Sequence, residues 1–86
     1  PAEYSVYLYP TLNTGSFTVK VNTKSKEEIN ICVYNLLGKK IYEENDIDFD
    51  NQSAKEMNFE HLQDGIYFIN ITGDNINHST KVVIQH

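Results

Sequence analysis

A two-residue alternation of apolar and polar side chains, recurring in short runs, constrains this chain more than any other feature. Phe17, Val19 and Val21 alternate with Thr18, Lys20 and Asn22, and Ile29, Ile31 and Val33 alternate with Asn30, Cys32 and Tyr34. Successive side chains of an extended backbone point to opposite faces, so each run is a ribbon with one apolar face that another ribbon must cover. No stretch keeps the i, i+3, i+4, i+7 apolar rhythm of a helix for more than two turns. The first run, Tyr4 to Tyr9, sets Val6 and Leu8 against Ser5, Tyr7 and Tyr9, and Pro10 ends it, which suits an edge strand. Turn-forming residues punctuate the rest: Asn13-Thr14-Gly15, then the polar connection Thr23 to Glu28, then Asn35-Leu36-Leu37-Gly38, with Gly38 free to take positive φ before a returning strand begins at Lys39. Further on, Ile47 and Phe49 point inward between Asp46, Asp48 and Asp50, Met57 and Phe59 form a short strand, and Ile66 to Thr72 and His78 to Gln85 close the chain.

About seven short strands at spacings of about 8–12 residues predict an all-β fold, an immunoglobulin-like antiparallel β-sandwich. A chain of 86 residues builds one thin core. With no Trp and a single Cys, Phe17, Ile31, Phe59, Tyr67 and Ile69 are expected to fill it. A Phe→Ala change there should cost about 3–5 kcal/mol. Asp64-Gly65-Ile66-Tyr67 has the local sequence of a tyrosine corner, in which a Tyr near the start of a strand hydrogen-bonds upstream backbone.

The same residues exclude several kinds of function. The net charge is −5 and the Lys residues are scattered, which argues against nucleic acid as a partner. No apolar run approaches the ~20 residues that span a bilayer, so no stable membrane insertion is expected. The chain begins at Pro1-Ala2, without a basic-then-apolar leader, and reads as a piece of a larger protein. Cys32 alone makes neither an internal disulfide nor a thiolate-rich zinc site, and between Ile31 and Val33 it reads as a small buried hydrophobe. Asp46, Asp48 and Asp50 lack the Gly and Glu of a calcium loop, with Asn51 and Met57 at those positions, and on a strand they spread over ~13 Å. His61, His78 and His86 show no metal-ligand spacing and read as surface residues. No nucleophile–base arrangement or phosphate-cradling loop stands out, so no enzyme, cofactor or metal is expected.

Four stretches, in order, give the chain a family likeness. They are Tyr9-Pro10 with Asn13-Thr14-Gly15 and the Phe17, Val19 alternation; Val33-Tyr34-Asn35-Leu36-Leu37-Gly38-Lys39-Lys40-Ile41; Leu62-Gln63-Asp64-Gly65-Ile66-Tyr67-Phe68-Ile69; and Thr80-Lys81-Val82-Val83-Ile84. Over about residues 8 to 85 the chain resembles the C-terminal sorting domains carried by type IX (Por) secretion cargo of Bacteroidetes. One departure is that the family's Tyr-Pro-Asn-Pro opening here reads Tyr9-Pro10-Thr11-Leu12, and loss of the second Pro is expected to loosen the loop without removing the fold.

The resemblance implies that residues 1–86 are one sorting domain at the C-terminus of a larger exported protein. Its implied partners are the outer-membrane translocon, a sortase-like protease and an N-terminal cargo domain in the same chain. Its route would run through the periplasm to the cell surface or the medium. The expected recognition surface is residues 78–86 with the Gly65-Ile66-Tyr67 region, and the residues expected to carry it are Gly65, Tyr67, Lys81, Val82, Val83, Ile84 and Gln85, through strand addition at the terminal strand and charge pairing at Lys81.

Two rival readings stand beside it: a carbohydrate-binding module using Tyr7, Tyr9, Tyr34 and Tyr42 as a stacking platform, and a spacer in a secreted enzyme. Three exposed Tyr rings on one face would favour the sugar; scattered or buried rings would favour the sorting or structural module.

Overall fold

The structure, a computed structural model, describes residues 4–24, 26–50 and 52–86. Eight strands follow one another: β1 (Tyr4–Tyr9), β2 (Leu12–Asn13), β3 (Ser16–Thr23), β4 (Glu27–Tyr34), β5 (Lys40–Phe49), β6 (Gln52–Asn58), β7 (Gly65–Thr72) and β8 (Asn77–Ile84). They form a three-stranded sheet in the order β1-β3-β6 and a five-stranded sheet in the order β2-β8-β7-β4-β5. Every pairing is antiparallel except that of β2 with β8, which is parallel over Leu12–Val83 and Asn13–Ile84. The predicted sandwich is therefore present. The added strand is the two-residue β2, which crosses from the first sheet to the second immediately after Pro10.

Alternation builds the core. Phe17, Val19 and Val21 of β3 face Ile29, Ile31 and Val33 of β4, Tyr67, Ile69 and Ile71 of β7, and Val82 and Ile84 of β8, all buried in one cluster. The five residues expected to fill the centre are all in it, with Phe59 and Phe17 ring centroids 5.9 Å apart. Ile76, in the turn between β7 and β8, is also buried, a position the strand pattern passes over.

Strand β5 departs from the expected broken pattern, because residues 40–49 are one continuous strand with a change of phase. Tyr42 lies opposite inward-facing Val33 and packs against the core, and Glu44 lies opposite Ile31, whereas Ile47 and Phe49 are the core-facing residues further along. Passing from even to odd inward positions requires one extra residue. A β-bulge between Ile29 and Ile31 supplies it, with Asp46 at φ 57° and its N–H bonded to Asn30 Oδ1 at 3.0 Å. Before the bulge, Tyr42 packs edge-on to Phe59 at 5.0 Å and donates to Glu44, whose carboxylate also pairs with Lys55 of β6 at 3.3 Å. These groups close the open side of the sandwich, where two sheet edges meet, with inward charge. The Glu44 hydrogen bond pushes the Tyr42 hydroxyl up to about 12, and Tyr42 with Lys55 holds Glu44 below the usual carboxylate range.

Cys32 corrects one expectation. It is half-buried on the outer face of the five-stranded sheet, as its place in the alternation requires, with Sγ 3.9 Å from Glu43, and is not a core residue.

Candidate functional site

The antiparallel register of β7 and β8 sets Gly65 against Ile84, Ile66 against Val83, Tyr67 against Val82 and Phe68 against Lys81. All seven residues expected to carry recognition, Gly65, Tyr67, Lys81, Val82, Val83, Ile84 and Gln85, therefore lie together at one end of the five-stranded sheet. They divide by face. Tyr67, Val82 and Ile84 point into the core and are 8%, 1% and 1% exposed, so no partner reaches them in the folded domain. Lys81 and Gln85 are exposed and Val83 is half-buried on the opposite face. The Tyr67 hydroxyl donates to the Gln63 carbonyl at 2.7 Å, the tyrosine corner expected from the sequence, which fixes the approach to β7.

The outer edge of β8 is partly occupied. Val83 N–H donates to the Thr11 carbonyl at 2.7 Å and Gln85 N–H to the Asn13 carbonyl at 2.8 Å. At the other end, the Tyr4 hydroxyl donates to the Asn77 carbonyl at 3.1 Å. Backbone groups of odd-numbered residues thus point away from β7. Between the two clamps, among the described residues, the open edge of β8 comes down to Ser79 and Lys81.

The Thr11 and Asn13 carbonyls also account for the departure in the opening motif. Because they take the ladder bonds to β8, Leu12 in between directs its N–H away from the ladder. A proline there would cost the ladder no bond, so the change to leucine leaves the β2–β8 pairing intact.

The end of β8 is tethered from below. His86 N–H bonds Asp64 Oδ1 at 3.0 Å, its Nδ1 lies 2.5 Å from the same oxygen, and its Nε2 lies 2.9 Å from the Glu60 carbonyl. The His86 amide and ring hold Asp64 below the usual carboxylate range, and Asp64 in turn raises His86 above the usual imidazole value. The exposed His86 is thus a structural pin. His61 is exposed between β6 and β7, and His78 is half-buried near the start of β8.

The tyrosines do not share a face. Tyr7 and Tyr9 are exposed on β1, Tyr34 is half-buried on β4 in the other sheet, and Tyr42 packs on the core. By the criterion set above, this scatter does not favour a sugar platform. Asp46 and Asp48 lie on either side of the inward Ile47 stretch of edge strand β5, and among the described residues no three His, Cys, Asp or Glu side chains gather as a metal site.

A family model described as the secretion system C-terminal sorting domain matches residues 7–85. The chain belongs to this family. The sorting domain is a C-terminal secretion signal for type IX secretion, a system of the Bacteroidetes, and as such it engages the secretion machinery on behalf of a cargo in the same chain, for export to the cell surface or beyond. No curated protein matched the chain. Among the described residues of the sorting domain no helix is long and apolar enough to cross a membrane.

The sequence reading of this surface stopped at Gly65-Ile66-Tyr67 and passed over Phe68. Ile66 and Phe68 lie on the same outer face as Lys81 and Val83, and Phe68 is 41% exposed. Their signal was the unbroken apolar run from Ile66 to Ile69, in which both faces of a strand are apolar and alternation gives no warning.

Proposed function

We propose that residues 1–86 act as a single non-catalytic address at the C-terminus of a larger secreted protein, read by the outer-membrane translocon while the cargo is in the periplasm. A sortase-like protease then removes the domain at the cell surface. The reading is carried by the register of β7 and β8, which joins two separate family stretches, Gly65-Ile66-Tyr67 and Lys81 to Gln85, into one end of one sheet. Recognition falls to the outward members, Lys81, Val83 and Gln85, and to the open edge at Ser79 and Lys81, where a partner strand finds unpaired backbone groups. Gly65, Tyr67, Val82 and Ile84 act as the frame that holds them.

The test is export of a Sec-delivered reporter with residues 1–86 fused at its C-terminus, in a bacterium with and without a working type IX system. Deleting residues 78–86 would remove Val82 and Ile84 from the core and unfold the domain, so the informative variant is Lys81→Ser/Val83→Ser/Gln85→Ala. Reporter at the surface for the parent, only when the system is present, with loss for the folded variant, supports the reading. Periplasmic retention of the parent in the complete system overturns it.

A further inference from the structure

The outer face of the five-stranded sheet changes character along its length. At the end away from the chain terminus the cross-strand rows are polar: Thr72 lies opposite Asn77 and Asn30, and Asn70 opposite Ser79 and Cys32. At the other end they are apolar. Leu12 pairs with Val83 and Val83 with Ile66, and in the next row Tyr34 pairs with Phe68. The turn between β4 and β5 continues this strip with Leu36 and Leu37, 64% and 93% exposed, while Leu12 is 59% and Phe68 41% exposed. The outer face of an antiparallel sheet is ordinarily polar, and a contiguous apolar patch on it marks a contact site.

Charge also differs between the two ends. Lys81 lies opposite Phe68, Lys40 lies opposite Tyr34, and Lys39 follows the Leu36–Gly38 turn, so three cations border the strip. Lys40 keeps a side chain 43% exposed despite its 3.3 Å pair with Glu43. Carboxylates collect at the far end, where Glu27, Glu28, Asp48 and Asp74 line one groove with Lys26 and Asn75. The opposite end is thus the more acidic one, while the apolar end sets Lys39, Lys40 and Lys81 beside two carboxylates that already have partners, Glu43 on Lys40 and Asp64 on His86.

We infer that the strip formed by Leu12, Val83, Ile66, Phe68, Tyr34 and the Leu36–Leu37 turn is a docking surface for an acidic polypeptide segment that carries apolar side chains. Its apolar groups cover the strip and its carboxylates meet Lys39, Lys40 and Lys81. This rests on the sorting reading and extends it, because it names the chemistry of the partner and moves the centre of the contact from the β8 edge to the sheet face.

Two experiments separate the inference from the reading beneath it. The isotope-labelled chain is titrated with a short synthetic peptide alternating Glu with Leu and Phe, with the same peptide bearing Lys for Glu, and with phosphatidylglycerol vesicles. Expected are amide shifts at Leu12, Leu36 to Lys40, Ile66 to Phe68 and Lys81 to Gln85 with the acidic peptide alone. That affinity should fall about tenfold in high salt, or on Lys39→Glu/Lys40→Glu/Lys81→Glu, and survive the corresponding Arg variant. Equal binding of the basic peptide, shifts elsewhere, or binding of the vesicles in its place overturns the inference. In the export assay the Leu37→Ser/Phe68→Ser reporter should be retained while the parent reaches the surface. If both are exported, the docking strip is wrong and the sorting reading stands. If the parent itself is retained, the sorting reading fails and the titration alone decides the strip.

Discussion

Two turns in this molecule share a chemistry and differ in what depends on them. In each, an Asn side chain accepts backbone N–H groups ahead of a glycine at positive φ: Asn13 Oδ1 from Gly15 at 2.8 Å, and Asn35 Oδ1 from Leu37 at 3.0 Å and Lys39 at 2.9 Å. Gly15 has φ 113° and Gly38 φ 87°. Yet a Cβ on Gly15 would stand 2.7 Å from the Glu60 backbone, while one on Gly38 would meet nothing within 4 Å. The first turn is clamped under the 59–62 segment, with the Phe59 N–H donating to the Gly15 carbonyl at 2.7 Å; the second projects two leucines into solvent. The same local signature therefore marks a packing joint in one place and a display loop in the other, and only the surroundings tell them apart.

Substitutions can break or sharpen this contrast. The largest effect is expected for Gly15→Ala, which adds left-handed strain to a backbone clash and should cost about 2–5 kcal/mol in denaturant unfolding. A midpoint like that of the parent would show that the 59–62 segment yields freely. Asn13→Ala comes next: the side chain is buried and also donates to the Pro10 carbonyl at 2.8 Å, so about 1–3 kcal/mol should go with its two bonds. Gly38→Ala, with only the φ cost, should lose about 1–2 kcal/mol, and a loss matching that of Gly15→Ala would erase the distinction. Leu37→Ser should change stability by less than about 0.5 kcal/mol, as for an exposed site away from packing.

The clamped region should respond to pH near neutrality and below, through the His86 pin on Asp64 and Glu60. Asp64, held below its usual 3.8, contributes above that value and loses its contribution as pH falls through its depressed pKa. His86, held above its usual 6.5, contributes below that value and loses it as pH rises through its raised pKa. The pin is thus full between 3.8 and 6.5 and weakens on both sides. The protection of the His86 amide, its exchange corrected for the intrinsic pH dependence, should be greatest inside that window, with no matching change in protection at Leu37.

Much of the frame was legible because its signals are local. Alternation placed Phe17, Ile31 and Ile69 in the core, Asp64-Gly65-Ile66-Tyr67 announced the tyrosine corner, and Asn35 to Gly38 announced a turn. What escaped depends on partners distant in sequence. Glu27 reads as part of a polar connection, yet it occupies an inward position of β4 and is buried, its carboxylate accepting the Asn75 N–H at 2.8 Å from the turn between β7 and β8. The phase change in β5 needs Asn30 opposite it, and β2 is two residues with no pattern of their own, held by β8. At the candidate site, the sequence grouped residues that the register of β7 and β8 brings to one end of the sheet. It did not separate the buried Val82 and Ile84 from the accessible Lys81 and Val83, and it missed Phe68 because an unbroken apolar run carries no facing information.

The short parallel pairing of β2 with β8 gives the domain a mechanical direction. Parallel neighbours pulled apart by opposite chain ends slide along each other, so tension between the segment preceding β2 and the segment following β8 loads the Thr11–Val83 and Asn13–Gln85 bonds together, in shear. Tension applied across the strands would instead open them one at a time, like a zipper. A domain that trails its cargo is thereby stiffest along the line of its own chain.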